Sequence, residues 1–291
     1  MYKIMKILEI DDKFLTETFN ETNVSFNETN KQYIDALKYA FRGISFKPFI
    51  LITDDLAIMD MTSPEFSYKN ALCFTKKKTE ENFKLCALWG LLMFKKIEDT
   101  LLINPIWSSK ISKAVFRGST TGSDKLMSNK KLRKYTRLQL VRLSKRKPEL
   151  LDAGFTNTVQ YVSNNPKEFS DGRKYPVFIV KPMSSVIQQN YKYIVVPDGN
   201  SGTYGYYWVL ASGSVPLKQE SDYIQYFEKD LVEFVHYVPI KRDFSDLYEK
   251  IQWLKDNDDK AYIIAQNARN YAKKHFTLTK FKEHLIDTLV S

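Results

Sequence analysis

The chain has 291 residues, 43% hydrophobic and 14% aromatic, enough to pack one large or two ordinary domains, which excludes a disordered protein. Lys and Arg total 44 against 34 Asp and Glu, a net charge of +10 spread along the chain; a basic surface with a few cations aimed at a phosphorylated small molecule accounts for it better than a nucleic-acid partner does. No secretory signal opens the sequence, and its longest nearly apolar run, Leu85 to Phe94, is half a membrane span, so a cytoplasmic protein without a transmembrane segment is expected, with peripheral membrane contact left open.

In chain order, residues 16–31 are polar and read as a loop, and Ile34, Leu37, Tyr39 and Phe41 mark a helix over 31–42. Pro48 to Ile52 is a short apolar strand that ends in Thr53-Asp54-Asp55. Acidic residues just past a buried strand stand where α/β sheets place ligands, or they cap the next element, and position alone leaves both readings open. Ala71 to Phe74 is another strand, and Leu85 to Phe94 fits helix or strand equally. Cys73 and Cys86 are too few for a disulfide framework and lack nearby histidines for zinc, so they are expected as buried thiols.

Asn104 to Ser109 marks a domain boundary. Beyond it, Lys113 to Phe116 is a strand that runs into a small, hydroxyl-rich loop, Arg117-Gly118-Ser119-Thr120-Thr121-Gly122. A basic helix from Lys130 to Lys147 follows, closed by Pro148. Leu151 to Gly154 and Pro176 to Val180 supply further strands.

Tyr193 to Gln219 forms the clearest unit. Tyr193 to Val196 reads as a strand buried on both faces, because it is apolar without alternation. The small-residue turn Asp198-Gly199-Asn200-Ser201-Gly202-Thr203 leads into a helix over Tyr204 to Ser212, and a strand begins near Ser214. Such a turn directs backbone N–H groups and a helix N-terminus at one place outside the strand's carboxyl end, which suits a phosphate; it is also what an ordinary tight βαβ turn looks like. The chain closes with helices over Phe244–Leu254 and Asp258–His275 and an amphipathic segment from Leu278 to Leu289. Strands alternating with helices over two halves predict an α/β protein of two Rossmann-like domains facing across a cleft: residues 1–108, joined by 277–291, and residues 109–276.

Several motifs together carry a resemblance. They are Phe116-Arg117-Gly118-Ser119-Thr120-Thr121-Gly122, the Arg137 to Ser144 run, Pro148 to Gly154, Leu210 to Gln219, and His236 to Leu247. In this order, over about residues 114–275, the chain resembles glycosyltransferase family 90, which includes capsule-associated and lipopolysaccharide-modifying transferases and protein O-glucosyltransferases. The resemblance implies a GT-B fold, a UDP-sugar donor, a glycan acceptor, and inversion at the sugar with no bound metal or other cofactor. It implies donor binding by Arg117, Gly118, Ser119 and Thr120, by Arg137, and by Gly199, Ser201, Gly202, Thr203 and Tyr204. Ser119 and Arg137 match phosphate contacts, and Asp54, with Asp55 as runner-up, falls where the family's catalytic aspartate follows its own strand. One position departs: Gly205 stands where many members carry a phosphate-facing arginine, so Arg137 suffices, Arg117 or Lys218 substitutes, or catalysis is weak.

The chemistry is coherent. An aspartate base for the acceptor hydroxyl contributes roughly 10²–10⁴-fold, and each well-placed donor to the leaving diphosphate about 3–4 kcal/mol. The expectation is thus an inverting, metal-independent transfer of glucose or xylose from a UDP-sugar to a glycan hydroxyl. The alternatives are a non-catalytic glycan- or nucleotide-binding protein on the same fold, or a basic nucleic-acid binder. A metal-dependent transferase would use an Asp-x-Asp pair, and Asp256-Asn257-Asp258 has that form, but it reads as one helix end followed by the next helix cap.

Overall fold

The computed structural model describes residues 7–10, 35–38, 49–52, 71–81, 83–103, 105–122, 137–157 and 179–290. Its strands are β1 (Ile7–Ile10), β2 (Phe49–Ile52), β3 (Ala71–Cys73), β4 (Lys76–Lys77), β5 (Phe83–Leu85), β6 (Ile111–Ser119), β7 (Leu151–Asn157), β8 (Tyr191–Val196), β9 (Val215–Gln219), β10 (Tyr223–Ile224) and β11 (Val238–Ile240). Residues 35–38 are helical, and the α-helices that follow are α1 (Leu88–Leu102), α2 (Arg137–Arg146), α3 (Ser185–Gln188), α4 (Tyr206–Ala211), α5 (Leu247–Asp256), α6 (Asp258–His275) and α7 (Leu278–Val290). The apolar run that fitted helix or strand divides: β5 ends at Leu85 and α1 starts at Leu88.

The chain forms two compact units. The first, residues 1–95, 222–230 and 275–291, holds a sheet of order β1-β2-β3-β5, with β1 antiparallel to β2 and the other neighbours parallel. Gly90 in α1 lets Phe281 of α7 lie against it, since a Cβ there would sit 2.4 Å from the Phe281 ring. Cys73 and Cys86 are free and buried in this unit, and burial pushes both thiols up, that of Cys86 to about 12.

The second unit, residues 96–221 and 231–274, is built on a parallel sheet of order β11-β9-β8-β6-β7. Side chains alternate across it. Ala114, Phe116, Tyr193, Val195, Val215 and Leu217 share one core with Leu138, Leu140 and Val141 of α2 and Leu247, Ile251 and Leu254 of α5. Chain order gives the sheet its direction of ligand binding. From β6 the chain steps to β7 on one side, then returns to place β8 on the other side of β6. The strand order therefore reverses between β6 and β8, and in open parallel sheets the crevice at that reversal, beyond the strands' carboxyl ends, is where ligands sit.

The amino edge of the same sheet is closed by two buried cations. Lys110, just before β6, donates to the carbonyl of Gln189 at 2.7 Å, to Ser214 Oγ at 2.9 Å and to the Ser212 carbonyl at 3.4 Å. Arg269 of α6 donates to the carbonyls of Ala211, Leu101 and Ile103 at 2.6, 2.8 and 3.0 Å. These carbonyls end α3, α4 and α1, where a helix leaves its last C=O groups unpaired and its dipole negative. Burial, and then the nearby Arg269 charge, lower the Lys110 ammonium to about 7. Gly213, with φ +66°, makes the left-handed turn that ends α4.

Candidate functional site

Two loops flank the β6/β8 crevice. The first leaves β6 through Ser119, Thr120, Thr121 and Gly122, and the second leaves β8 through Pro197 and runs to Thr203. Arg137, the first residue of α2, joins them. Its Nε donates to the Asp198 carbonyl at 2.9 Å, and its Nη1 donates to the Ser119 carbonyl at 3.2 Å and to Thr121 Oγ1 at 3.1 Å. The guanidinium lies 5.6 Å from the centre of the Phe116 ring, and a Cβ on Gly199 would come within 3.2 Å of Nη2.

A second tie lies further out. The Gly122 N–H donates to Asn200 Oδ1 at 2.9 Å. Gly122 has φ +82°, and a Cβ there would sit 2.3 Å from the Gly199 carbonyl oxygen. Only glycine allows both the backbone conformation and the approach of the two loops. Within each loop, Ser119 and Thr121 share a short hydroxyl–hydroxyl bond, Thr203 Oγ1 donates to the Pro197 carbonyl, and the Gly199 N–H donates to the Ser201 carbonyl at 3.0 Å.

Asp198 anchors the second loop to β9. Its N–H donates to Gln219 Oε1 at 2.8 Å, and its carboxylate accepts from Ser221 Oγ and, at 3.5 Å, from Lys218 Nζ. Lys218 is buried and lies 5.9 Å from the Tyr206 ring centre. The site therefore sets the Arg137 guanidinium between two short backbone loops, with Lys218 held on the Asp198 carboxylate and, at 3.1 Å, on the Gln219 carbonyl, an arrangement suited to an anionic group.

Most residues expected at a donor site meet here: Gly118, Ser119, Thr120, Arg137, Gly199, Ser201, Gly202 and Thr203 all lie on these loops or at the end of β6, and Tyr204 follows with its side chain exposed. Thr120 and Ser201 are buried within their loops. Arg117 is not part of the group. It follows Phe116 on a strand and so points to the other face. There it pairs with Asp152 Oδ1 at 2.8 Å and donates to the Asp152 carbonyl at 2.9 Å, tying β6 to β7, while Tyr191 holds the other carboxylate oxygen. Asp54 and Asp55 lie outside the described residues.

The helix after the second loop, expected over Tyr204 to Ser212, covers Tyr206–Ala211, and Gly205 is its N-cap with an ordinary helical backbone. A Cβ at Gly205 would come within 3.1 Å of Trp208 Nε1, so the indole stands where a larger side chain would start. The Asp-x-Asp run divides as expected between the end of α5 and the start of α6. Asp258 accepts from Lys192 at 2.6 Å and Trp107 at 3.0 Å, which makes it part of the fold. No cluster of three metal-ligating side chains occurs among the described residues. Sequence reasoning passed over the anchoring role of Asp198, Gln219 and Ser221. The signal was available: Asp198 and Gln219 close the two strands of the unit it singled out.

Fold and site together define an α/β protein with a parallel sheet and an anion-suited crevice at its switch point. The chain belongs to Glycosyl transferase family 90, which residues 30–289 match. It is 39% identical over 169 residues to protein O-glucosyltransferase 3 of Rattus norvegicus, covering 58% of this chain and 29% of that protein. It is 33% identical over 171 residues to protein O-glucosyltransferase 2 of Danio rerio, covering 59% of this chain and 30% of that protein. The chain thus spans about three-tenths of the length of these relatives. Among solved structures it resembles a glycosyltransferase from Rickettsia africae at TM-score 0.42 and 11% identity, over 87% of this chain and 72% of that one.

Proposed function

We propose that this chain is an inverting glycosyltransferase that moves glucose or xylose from a UDP-sugar to an acceptor hydroxyl without a bound metal. The observation that carries the reading is the crevice between β6 and β8, where Arg137 bridges two glycine-containing loops; a diphosphate bound there would meet its guanidinium. Arg137 and the loop N–H groups would stabilise the charge that develops on the departing diphosphate. Asp54 would take the acceptor proton, with Asp55 as the neighbouring candidate.

Calorimetry with UDP in chelator tests the donor half. Tight UDP binding is expected, weakened about 10- to 100-fold by Arg137→Ala, the scale of one or two charge-assisted hydrogen bonds. Undiminished binding by Arg137→Ala, or activity lost in chelator, overturns the phosphate role or the metal-free step respectively. Turnover tests the other half. Asp54→Asn is expected to keep UDP binding and to lose roughly 100-fold or more in rate, the scale of losing a general base. If Asp55→Asn has that effect instead, the base is the next residue.

The acceptor has two readings. A glycan hydroxyl follows from the family's polysaccharide-modifying members. The names of the relatives, protein O-glucosyltransferases, favour glucose over xylose and a protein hydroxyl as acceptor. Transfer assays pairing each UDP-sugar with a glycan and with a folded protein acceptor separate them. Gly205 favours one further reading, a binder without turnover, which predicts UDP binding with no transfer to either.

A further inference from the structure

We propose that Asp198 is a positioning residue for the donor site, acting through Arg137; the inference rests on the nucleotide-sugar reading of that site. Through Asp198, β9 reaches the guanidinium. Its N–H is fixed by Gln219 Oε1 at 2.8 Å, and Gln219 is fixed in turn by donating from Nε2 to the Arg242 carbonyl at 2.6 Å. Its carboxylate is held by Ser221 Oγ and by Lys218 Nζ. Its carbonyl, so oriented, accepts from Arg137 Nε at 2.9 Å.

The consequence for Arg137 is geometric. A guanidinium is planar, so fixing two of its nitrogens fixes the third. Nε is held by Asp198 and Nη1 by Ser119 and Thr121, which sets Nη2 beside the Gly199 turn. Preorganised donors are worth more than mobile ones because they need no reorganisation when charge develops. A carboxylate this close to an anion site also raises an electrostatic difficulty. Lys218 and Ser221 answer it by engaging both carboxylate oxygens, so that the loop presents its backbone rather than a bare negative charge.

The test is a double-mutant cycle read by calorimetry on the full chain with UDP as the probe. Asp198→Asn and Ser221→Ala are each made with Arg137 present and in an Arg137→Ala background. Ser221→Ala is the milder change and serves if Asp198→Asn does not fold. With Arg137 present, each is expected to weaken UDP binding by about 3- to 10-fold; with Arg137→Ala, by less than about 2-fold, because residues acting through one another are not additive. An equal loss in both backgrounds overturns the inference and leaves the donor site standing, as does no loss in either. If the unsubstituted chain binds no UDP, the nucleotide-sugar reading fails and this inference with it.

Discussion

Both edges of the five-stranded sheet depend on basic side chains that donate to main-chain carbonyls, and the two edges differ in what those carbonyls belong to. At the amino edge, Lys110 and Arg269 meet the ends of three helices. Those carbonyls have no partner within their helices, and once buried each must be satisfied. The cations there complete the fold. At the carboxyl edge, Arg137 meets carbonyls on two loops from different strands, Ser119 after β6 and Asp198 after β8. Half-exposed loop carbonyls can be met by water, so what Arg137 adds is the relative placement of the loops. The same chemistry supports stability at one edge and geometry at the other.

The largest test of that contrast is Arg269→Met. It leaves the buried Ala211 carbonyl without this donor, at about 1–3 kcal/mol for a buried group left unpaired, and takes a donor from the part-buried Leu101 and Ile103 carbonyls, which water can meet. A loss of about 1–3 kcal/mol is expected in denaturant unfolding, with UDP affinity of the folded protein unchanged. Should UDP affinity fall as it is expected to fall in Arg137→Ala, the two edges are not separate in function.

Lys110 sharpens the contrast through pH. Its folded-state value is lowered to about 7, below that of the unfolded lysine. From about pH 7 upward the unfolded chain holds a proton that the folded chain has given up, so stability rises with pH, by at most about 1.4 kcal/mol per unit, until the unfolded lysine also titrates. Below pH 7 the charge is present in both states and the burial cost remains. Tyr193 and Cys86, pushed up to about 12 by burial, work in the opposite direction in more alkaline solution. The slope should therefore be read as the difference between the unsubstituted protein and Lys110→Met, which is expected to lack it.

At the carboxyl edge the effects are smaller in stability. Gly122→Ala imposes a left-handed conformation, about 1–2 kcal/mol, and drives a methyl towards the Gly199 carbonyl, so the loops must part. Its melting temperature is expected to fall by a few degrees, with a larger proportional loss in UDP affinity; a melting change alone would separate loop closure from binding. Gly205→Arg is the mildest, within about 1 kcal/mol, because its backbone is ordinary and Trp208 must shift only by tenths of an ångström. A gain in UDP affinity would show that the crevice lacks a cation the family elsewhere supplies, and an unchanged affinity that Arg137 suffices.

The carboxyl edge was legible in the sequence and the amino edge was not, for a physical reason. A strand apolar throughout, closed by Pro197 and a glycine turn, announces β8 and its loop by local pattern. Its partner Arg137 lies 61 residues away from Asp198, so no local pattern pairs them, and only the family resemblance named that arginine. Arg117 came with it because a motif reads as a unit, whereas a strand sends successive side chains to opposite faces. Lys110 looked like one more lysine in a basic chain. Arg269 carried a faint signal: it falls between Ala265 and Ala272, on the buried stripe of α6. Period alone could place it inward, but nothing in the sequence names three helix ends as its acceptors.

The strand order has one further consequence, for dividing the protein. The two walls of the crevice come from β6 and β8, and β7 with the stretch after it stands between them in sequence. A cut in the chain beyond Asn157 and before Ile179 would put Arg137 and the first loop on one fragment and Asp198 and the second loop on the other. If the crevice is the proposed donor site, neither fragment alone would carry both of its loops. On the proposed reading, nucleotide binding would then report reassembly of the two pieces, and the sheet would serve as a split sensor whose signal is its own ligand.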